Sequence, residues 1–235
     1  MDSWKKLRCH FIISEIDRMS EYLDLIDSSI KDSQQKLEVD LKARAESMTE
    51  EEKLDFYDFY EDDMINLGSD FPVFLFSGFV ISWYSFIEHE LISLCKSLKL
   101  TINVSIQDKT RFEEGIRRAY NFLGKAANYK IDDKHWQELE AVRQVRNRLV
   151  HEGGRLIPKP DRTKPDMVEI DLDEDGSIYL PINQNLYQYL IKYNLYAAGC
   201  MRLAPNYVYC KHLVTFGMEL LVKIYKDFNL LPIAS

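Results

Sequence analysis

The chain has 235 residues, 46% of them apolar and 29% charged, and a net charge of −8. These proportions suit one large globular domain or two small ones and exclude a disordered chain, a collagen-like fibre and a disulfide scaffold. Nine glycines and seven prolines are few for this length, so helices are expected to dominate. Cys9, Cys95, Cys200 and Cys210 form no C-x-x-C pair and follow no signal peptide, and they read as reduced thiols of a cytoplasmic protein.

Residues 4–48 predict one long helix. Its apolar residues (Leu7, Phe11, Ile12, Ile16, Met19, Leu23, Ile26, Ile30) recur at spacings of three and four, and the stripe thins beyond Ile30. Thr49 and Glu52 have capping-box spacing and open an acidic helix over residues 50–64. Its carboxylates lack calcium-loop spacing and read as a solvated face. Gly68-Ser69-Asp70 reads as a turn, with Asp70 capping a third helix that carries Pro72 in its first turn and runs to Leu98. Residues 71–87 hold no charge. They contain Pro72 and Gly78, fall short of the roughly 20 residues of a membrane span, and read as the central helix of a bundle. Trp83, Tyr84 and Phe86 within it read as core.

A fourth helix is expected over residues 108–123, and a fifth from Asp132 or Asp133 to the stop at Gly153-Gly154. A proline-bearing loop follows. Two alternating runs, 167–172 and 177–180, around the Asp175-Gly176 turn predict a β-hairpin within 166–181. Two last helices are expected over 185–200 and 206–227. The fold class is therefore all-α, a helical bundle of about seven helices with a small β-hairpin insertion. Residues 1–66 form a long helix and an acidic helix packing on a core of 67–235, and the whole reads as a single domain.

Charge is unevenly spread. Residues 108–165 hold 14 Lys/Arg and 9 Asp/Glu, a net of +5, which leaves −13 for the rest. The fifth helix lies in this basic segment. On a helical wheel Leu139, Val142, Val145, Leu149 and Val150 form its core face, and Arg146 falls inside that arc. Buried arginines are paired, so Glu88 or Glu90, the first charges after the apolar run, are its expected structural partners. Arg143, Asn147 and His151 form a polar stripe beside the core face, and Arg148 points away from it. Such a set suits attack of a ribose 2′-OH on the adjacent phosphate. Arg146 holds the phosphate with two parallel hydrogen bonds, His151 moves a proton near neutral pH, and Asn147 orients it. A structural salt bridge at Arg146 and a simple helix cap at His151 are the other reading of the same residues.

Arg146-Asn147-x-x-x-His151, near the end of an amphipathic helix in an all-helical chain, resembles the R-x(4–6)-H motif of the HEPN superfamily. The helix bearing Phe86-Ile87-Glu88-His89-Glu90-Leu91 is similar to the acidic helix that packs beside the motif helix in many members. The resemblance spans residues 71–154 and one or both C-terminal helices; the long N-terminal helix, acidic helix and hairpin lie outside it. It implies a homodimer through the motif helix, with two motifs facing one cleft, and a metal-independent endoribonuclease that needs no cofactor. It implies His151 as general base or acid, Arg146 as phosphate binder and Asn147 as positioner, with 2′,3′-cyclic phosphate and 5′-hydroxyl products. Members act as toxins, antiphage defence effectors or RNA-processing enzymes; others are silent nucleotide-binding or interaction modules. The expected partners are RNA, a second copy and an antitoxin or other protein, with no membrane. Arg143, Arg148, Arg155 and Lys159 would contact RNA phosphates.

Weaker signals complete the chain. His10, His89, His135 and His212 lack metal-ligand spacing and read as surface or core. Tyr187, Tyr189, Tyr193, Tyr196, Tyr207 and Tyr209 read first as packing residues and second as a platform for stacking bases.

Overall fold

Helix α1 (Asp2–Ala45) runs for 44 residues because no glycine or proline interrupts it. The computed structural model of the protein describes residues 2–102, 115–160, 162–171, 177–197 and 201–230. The first part of α1 buries Ile12, Ile16, Leu23 and Ile26 against α4 (Phe71–Ile102) and α8 (Tyr207–Asp227). Its second part buries Leu41 and Ala45 and stacks Arg44 on the rings of Phe56 and Tyr60. Those rings belong to the chain beginning at α2 (Glu50–Phe59). That helix opens with the expected capping box: Glu52 N–H donates to Thr49 Oγ1 at 3.3 Å, and Thr49 N–H donates to the Glu52 carboxylate at 2.8 Å.

The expected turn at Gly68-Ser69-Asp70 is absent. Helix α3 (Glu61–Ile65) passes through a π-helical turn (Asn66–Asp70) directly into α4. The wide turn is supported from outside. Gln34 donates its side-chain amide to the Leu67 carbonyl at 2.8 Å, and Asp70 spends its carboxylate on Arg202 at 2.5 Å instead of capping α4. The run Glu61–Leu98 is long and apolar enough, by length and composition, to cross a membrane. From Phe76 onward it is the middle of the bundle: Val80, Trp83, Ile87, Leu91 and Leu94 are all at most 1% exposed. Its beginning is open, with Phe71, Phe74 and Leu75 at 52%, 78% and 37% exposure.

Helix α5 (Ile116–Ala126) follows; the expected first residues of this helix, 108–114, lie outside the described residues. Helix α6 (Asp133–His151) is capped by Asp132, whose side chain accepts from His135 N–H at 3.1 Å. The hairpin forms as β1 (Val168–Asp171) and antiparallel β2 (Ser177–Leu180), in the register Val168↔Leu180. Its Asp175-Gly176 turn lies outside the described residues. The fold is all-α with a small hairpin.

Helix α7 (Gln184–Lys192) stops well before residue 200, against expectation. Asn194 takes φ 52°, and Leu195 N–H returns to the Leu190 carbonyl at 2.8 Å, a Schellman end sealed by two fully buried leucines. Asn206 then donates its amide to the Tyr193 and Asn194 carbonyls. The chain turns instead into a short ribbon of β3 (Tyr196–Ala197) and β4 (Arg202–Leu203). Asn128 and Asn229 end α5 and α8 in the same left-handed conformation.

The ribbon fastens the end of α6. Gly154, at φ 77°, donates to the Arg148 carbonyl at 2.9 Å and accepts from Leu203 N–H at 2.7 Å. A Cβ on Gly154 would lie 3.3 Å from a Leu149 methyl and 3.6 Å from the Leu203 backbone. Gly154→Ala is expected to cost about 1–2 kcal/mol from the left-handed backbone alone, read as a lowered urea midpoint at unchanged slope. Gly153→Ala, with open space at its Cβ, carries only the backbone part.

Candidate functional site

Helix α6 buries Leu139, Val142 and Val145 completely and holds Arg146 on the edge of that face, toward α4. The Arg146 guanidinium lies over the Tyr84 ring at 5.5 Å. One of its terminal nitrogens donates to Asn147 Oδ1 at 3.1 Å, and its buried Nε–H has no acceptor. Among the described residues it has no ion pair.

The expected pairing with Glu88 or Glu90 is therefore not formed. Glu90, only 4% exposed, accepts from Arg8 at 3.2 Å and from the Tyr225 hydroxyl at 3.3 Å, on the side of α4 facing α1 and α8. Glu88 lies against Gly115, so close that a Cβ there would sit 2.7 Å from Oε1. A third acid among the described residues, Glu140, is shared by Arg117 and Arg143, each making two hydrogen bonds to it. Burial pushes the Glu140 carboxyl up, but hydrogen bonds from Arg143 and Arg117 outweigh it and hold the group below its ordinary value. Burial first, then Glu88, pushes the Tyr84 hydroxyl up to about 12, so it stays protonated.

His151 is the last residue of α6 and is exposed, its side chain making no hydrogen bond to another described residue. Asn147 serves Arg146 rather than His151. Arg148 does not point outward into solvent. Its side chain is 16% exposed, binds Glu152 at 2.7 Å and donates to the Pro181 carbonyl, tying α6 to the end of the hairpin. Arg143 is likewise neutralised by Glu140. Arg155 and Lys159 are exposed and have no ion pair among the described residues, while their backbones pair with Arg202 and Tyr179. The site thus contains one cation held by neutral neighbours, a solvent-facing imidazole five residues (about one and a half turns) further on, and a basic segment leaving the helix end.

A second polar cluster escaped the sequence. Glu138 accepts from the Tyr189 hydroxyl at 2.6 Å, and His212 Nε2 lies 2.9 Å from the same oxygen and 2.9 Å from the Tyr193 hydroxyl. It joins α6, α7 and α8. The participants are up to 74 positions apart, so no local spacing announces them. His135 pairs with Asp132 at 2.6 Å, whereas His10 and His89 are exposed. Burial pushes Glu138 up, but hydrogen bonds from His212 and Tyr189 leave it below its ordinary value of 4.5. A depressed carboxyl contributes stability above its unfolded value and loses it as pH falls through the folded one. Glu138→Gln is therefore expected to cost about 2 kcal/mol at pH 7, a cost that shrinks once the pH falls below about 4. A penalty that stays constant in urea titrations from pH 7 to pH 3 contradicts this.

Tyr189 and Tyr209, 9% and 0% exposed, are core and offer no face for a base. Cys95 and Cys210 are buried free thiols; burial pushes Cys95 up to about 12 and Cys210 higher still, so neither is a nucleophile. Among the described residues no three His, Cys, Asp or Glu side chains converge as a metal-ligand set. No protein-family model, curated protein or solved structure matches the chain.

Proposed function

We propose that the protein is a metal-independent endoribonuclease of HEPN type, with Arg146 and His151 as its working pair. The observation that carries this reading is Arg146 itself: a half-buried guanidinium whose two fixing contacts, Tyr84 and Asn147, are both uncharged. A cation with no counter-ion among the described residues is ready for an anion. His151 takes the proton of a ribose 2′-OH, O2′ bonds to phosphorus, the P–O5′ bond breaks, and O5′ leaves with a proton from an imidazolium. Arg146 stabilises the charge that builds on the phosphoryl oxygens. Exposed Arg155 and Lys159 continue the RNA track beyond the helix end.

A homodimer completes the cleft in this reading, one His151 acting as base and the second as acid. Apolar side chains are exposed where such a contact would form. Phe71, Phe74 and Leu75 at the start of α4, and Val150 in the last turn of α6, sit at the same end of the bundle, joined through Asp70–Arg202 and the Arg155–Arg202 pairing. The proposal places the protein in the cytoplasm as a toxin or antiphage defence effector. A silent RNA- or protein-binding module with the same fold is the competing reading, and an inert guanidinium at Arg146 would favour it. The test is incubation of a mixed RNA pool with the protein and EDTA. Cleavage is expected; a folded, dimeric protein that binds RNA and leaves it intact points to the binding module.

A further inference from the structure

We infer that Tyr84 is a positioning residue for Arg146: its ring replaces the carboxylate that would otherwise hold the guanidinium, and so keeps that charge free for a phosphodiester. The inference rests on the reading of Arg146 as phosphate binder.

A half-buried arginine ordinarily acquires an acidic partner. Among the described residues, Glu90 is committed to Arg8 and Tyr225 and Glu140 to Arg117 and Arg143, while Glu88 lies against Gly115 and makes no ion pair with Arg146. The ring face of Tyr84 remains, 5.5 Å beneath the guanidinium. Its quadrupole attracts the cation without cancelling its charge. A carboxylate in that place would fix the side chain equally well but repel the incoming phosphate at short range. Asn147, the second contact, is also a neutral acceptor, and its bond to one terminal nitrogen sets the rotation of the fork. The platform is rigid. Tyr84 is 3% exposed, and its neighbours on α4, Trp83 and Ile87, are 1% and 0% exposed, so the ring stays where the helix places it.

The face of the ring does the holding, and the hydroxyl plays no part in it. Tyr84→Phe is therefore expected to keep kcat/KM for RNA within about threefold of wild type, and Tyr84→Leu to lower it roughly 5- to 30-fold, the span of a partly desolvated cation–π contact. Pentafluorophenylalanine at position 84 keeps the shape and reverses the charge of the face. It is expected to match Tyr84→Leu in activity while melting like Tyr84→Phe, a split that a purely structural role would not produce. The Arg146 Nε–H signal in a nitrogen–proton spectrum, assigned by its loss in Arg146→Lys, reports the platform without any RNA. It is expected to be displaced by the ring current in wild type and Tyr84→Phe, and to rejoin the exposed arginines in Tyr84→Leu. If wild type fails to cleave RNA but the signal behaves so, the ribonuclease reading falls and the platform stands. A fluorinated ring that leaves both the signal and the activity unchanged, or Tyr84→Phe losing activity as fully as Tyr84→Leu, overturns the inference.

Discussion

His151→Ala is expected to lower RNA cleavage roughly 100- to 10,000-fold, the usual contribution of a positioned general acid–base group. The loss arises in chemistry and leaves the fold alone. His151 is exposed at the end of α6 and its side chain bonds to no other described residue, so its removal opens no cavity and strands no partner. Arg146→Ala is expected to lose roughly 100- to 1,000-fold, as loss of a charge-stabilising donor does, and also to weaken RNA binding. The two losses are not additive, because proton transfer and charge stabilisation serve one transition state. Arg148→Ala is the informative contrast. Its bonds to Glu152 and the Pro181 carbonyl are structural, so it should lower the melting temperature and leave per-molecule cleavage nearly unchanged. Equal catalytic losses in Arg148→Ala and Arg146→Ala would remove the distinction drawn between them.

The largest expected effect on stability lies at the other side of α4. Arg8 donates to Glu90 at 3.2 Å, to Ser93 at 2.6 Å and to the Tyr225 hydroxyl at 3.1 Å, which ties α1, α4 and α8 around one buried carboxylate. Arg8→Met keeps most of the packing volume and leaves Glu90 without its cation. The expected cost is about 3–5 kcal/mol, or a fall of roughly 6–20 °C in melting temperature for a chain of this size. Replacing both partners, Arg8→Met with Glu90→Leu, is expected to recover most of that loss, because the penalty belongs to the stranded charge rather than to the missing bond. Urea unfolding of the four proteins of this cycle measures it. A double variant as unstable as the sum of the singles would show that Arg8 and Glu90 do not interact.

The sequence announces what is local. The Thr49 capping box, the start of α6 at Asp132 or Asp133, the Gly153-Gly154 stop and the Leu139, Val142 and Val145 part of the α6 core face depend on neighbours within one or two turns and are where the pattern puts them. Val150, placed on that face by the wheel, is instead 43% exposed because it lies in the last turn, beyond the bundle core. The end of α7 was not legible because it depends on distant partners. Asn194 is compatible with a helix, and only its left-handed conformation, the amide of Asn206 and the Gly154–Leu203 pairing end it there. The glycine and serine before α4 look like a turn, yet Gln34 and Arg202, far along the chain, hold the backbone helical. At the site, periodicity put Arg146 inside the core arc, whereas it lies half-buried at the edge of that face, and periodicity gave no hint of its partner. Glu88 and Glu90 are the first charges after the apolar run of α4, yet they face α5 and α1, while Tyr84, read as an ordinary core aromatic, lies under the guanidinium. A wheel drawn for α6 alone contains no information about which face of α4 meets it.

In the proposed reaction the 2′-OH of the RNA is the nucleophile, with Arg146 and His151 supplying charge stabilisation and proton transfer. Mass spectrometry of the fragments produced from a defined RNA in the presence of EDTA tests it most directly. The expected result is 2′,3′-cyclic phosphate and 5′-hydroxyl ends that disappear together in Arg146→Ala and His151→Ala. Fragments with 3′-hydroxyl and 5′-phosphate ends, or cyclic ends that persist in both variants, would contradict it.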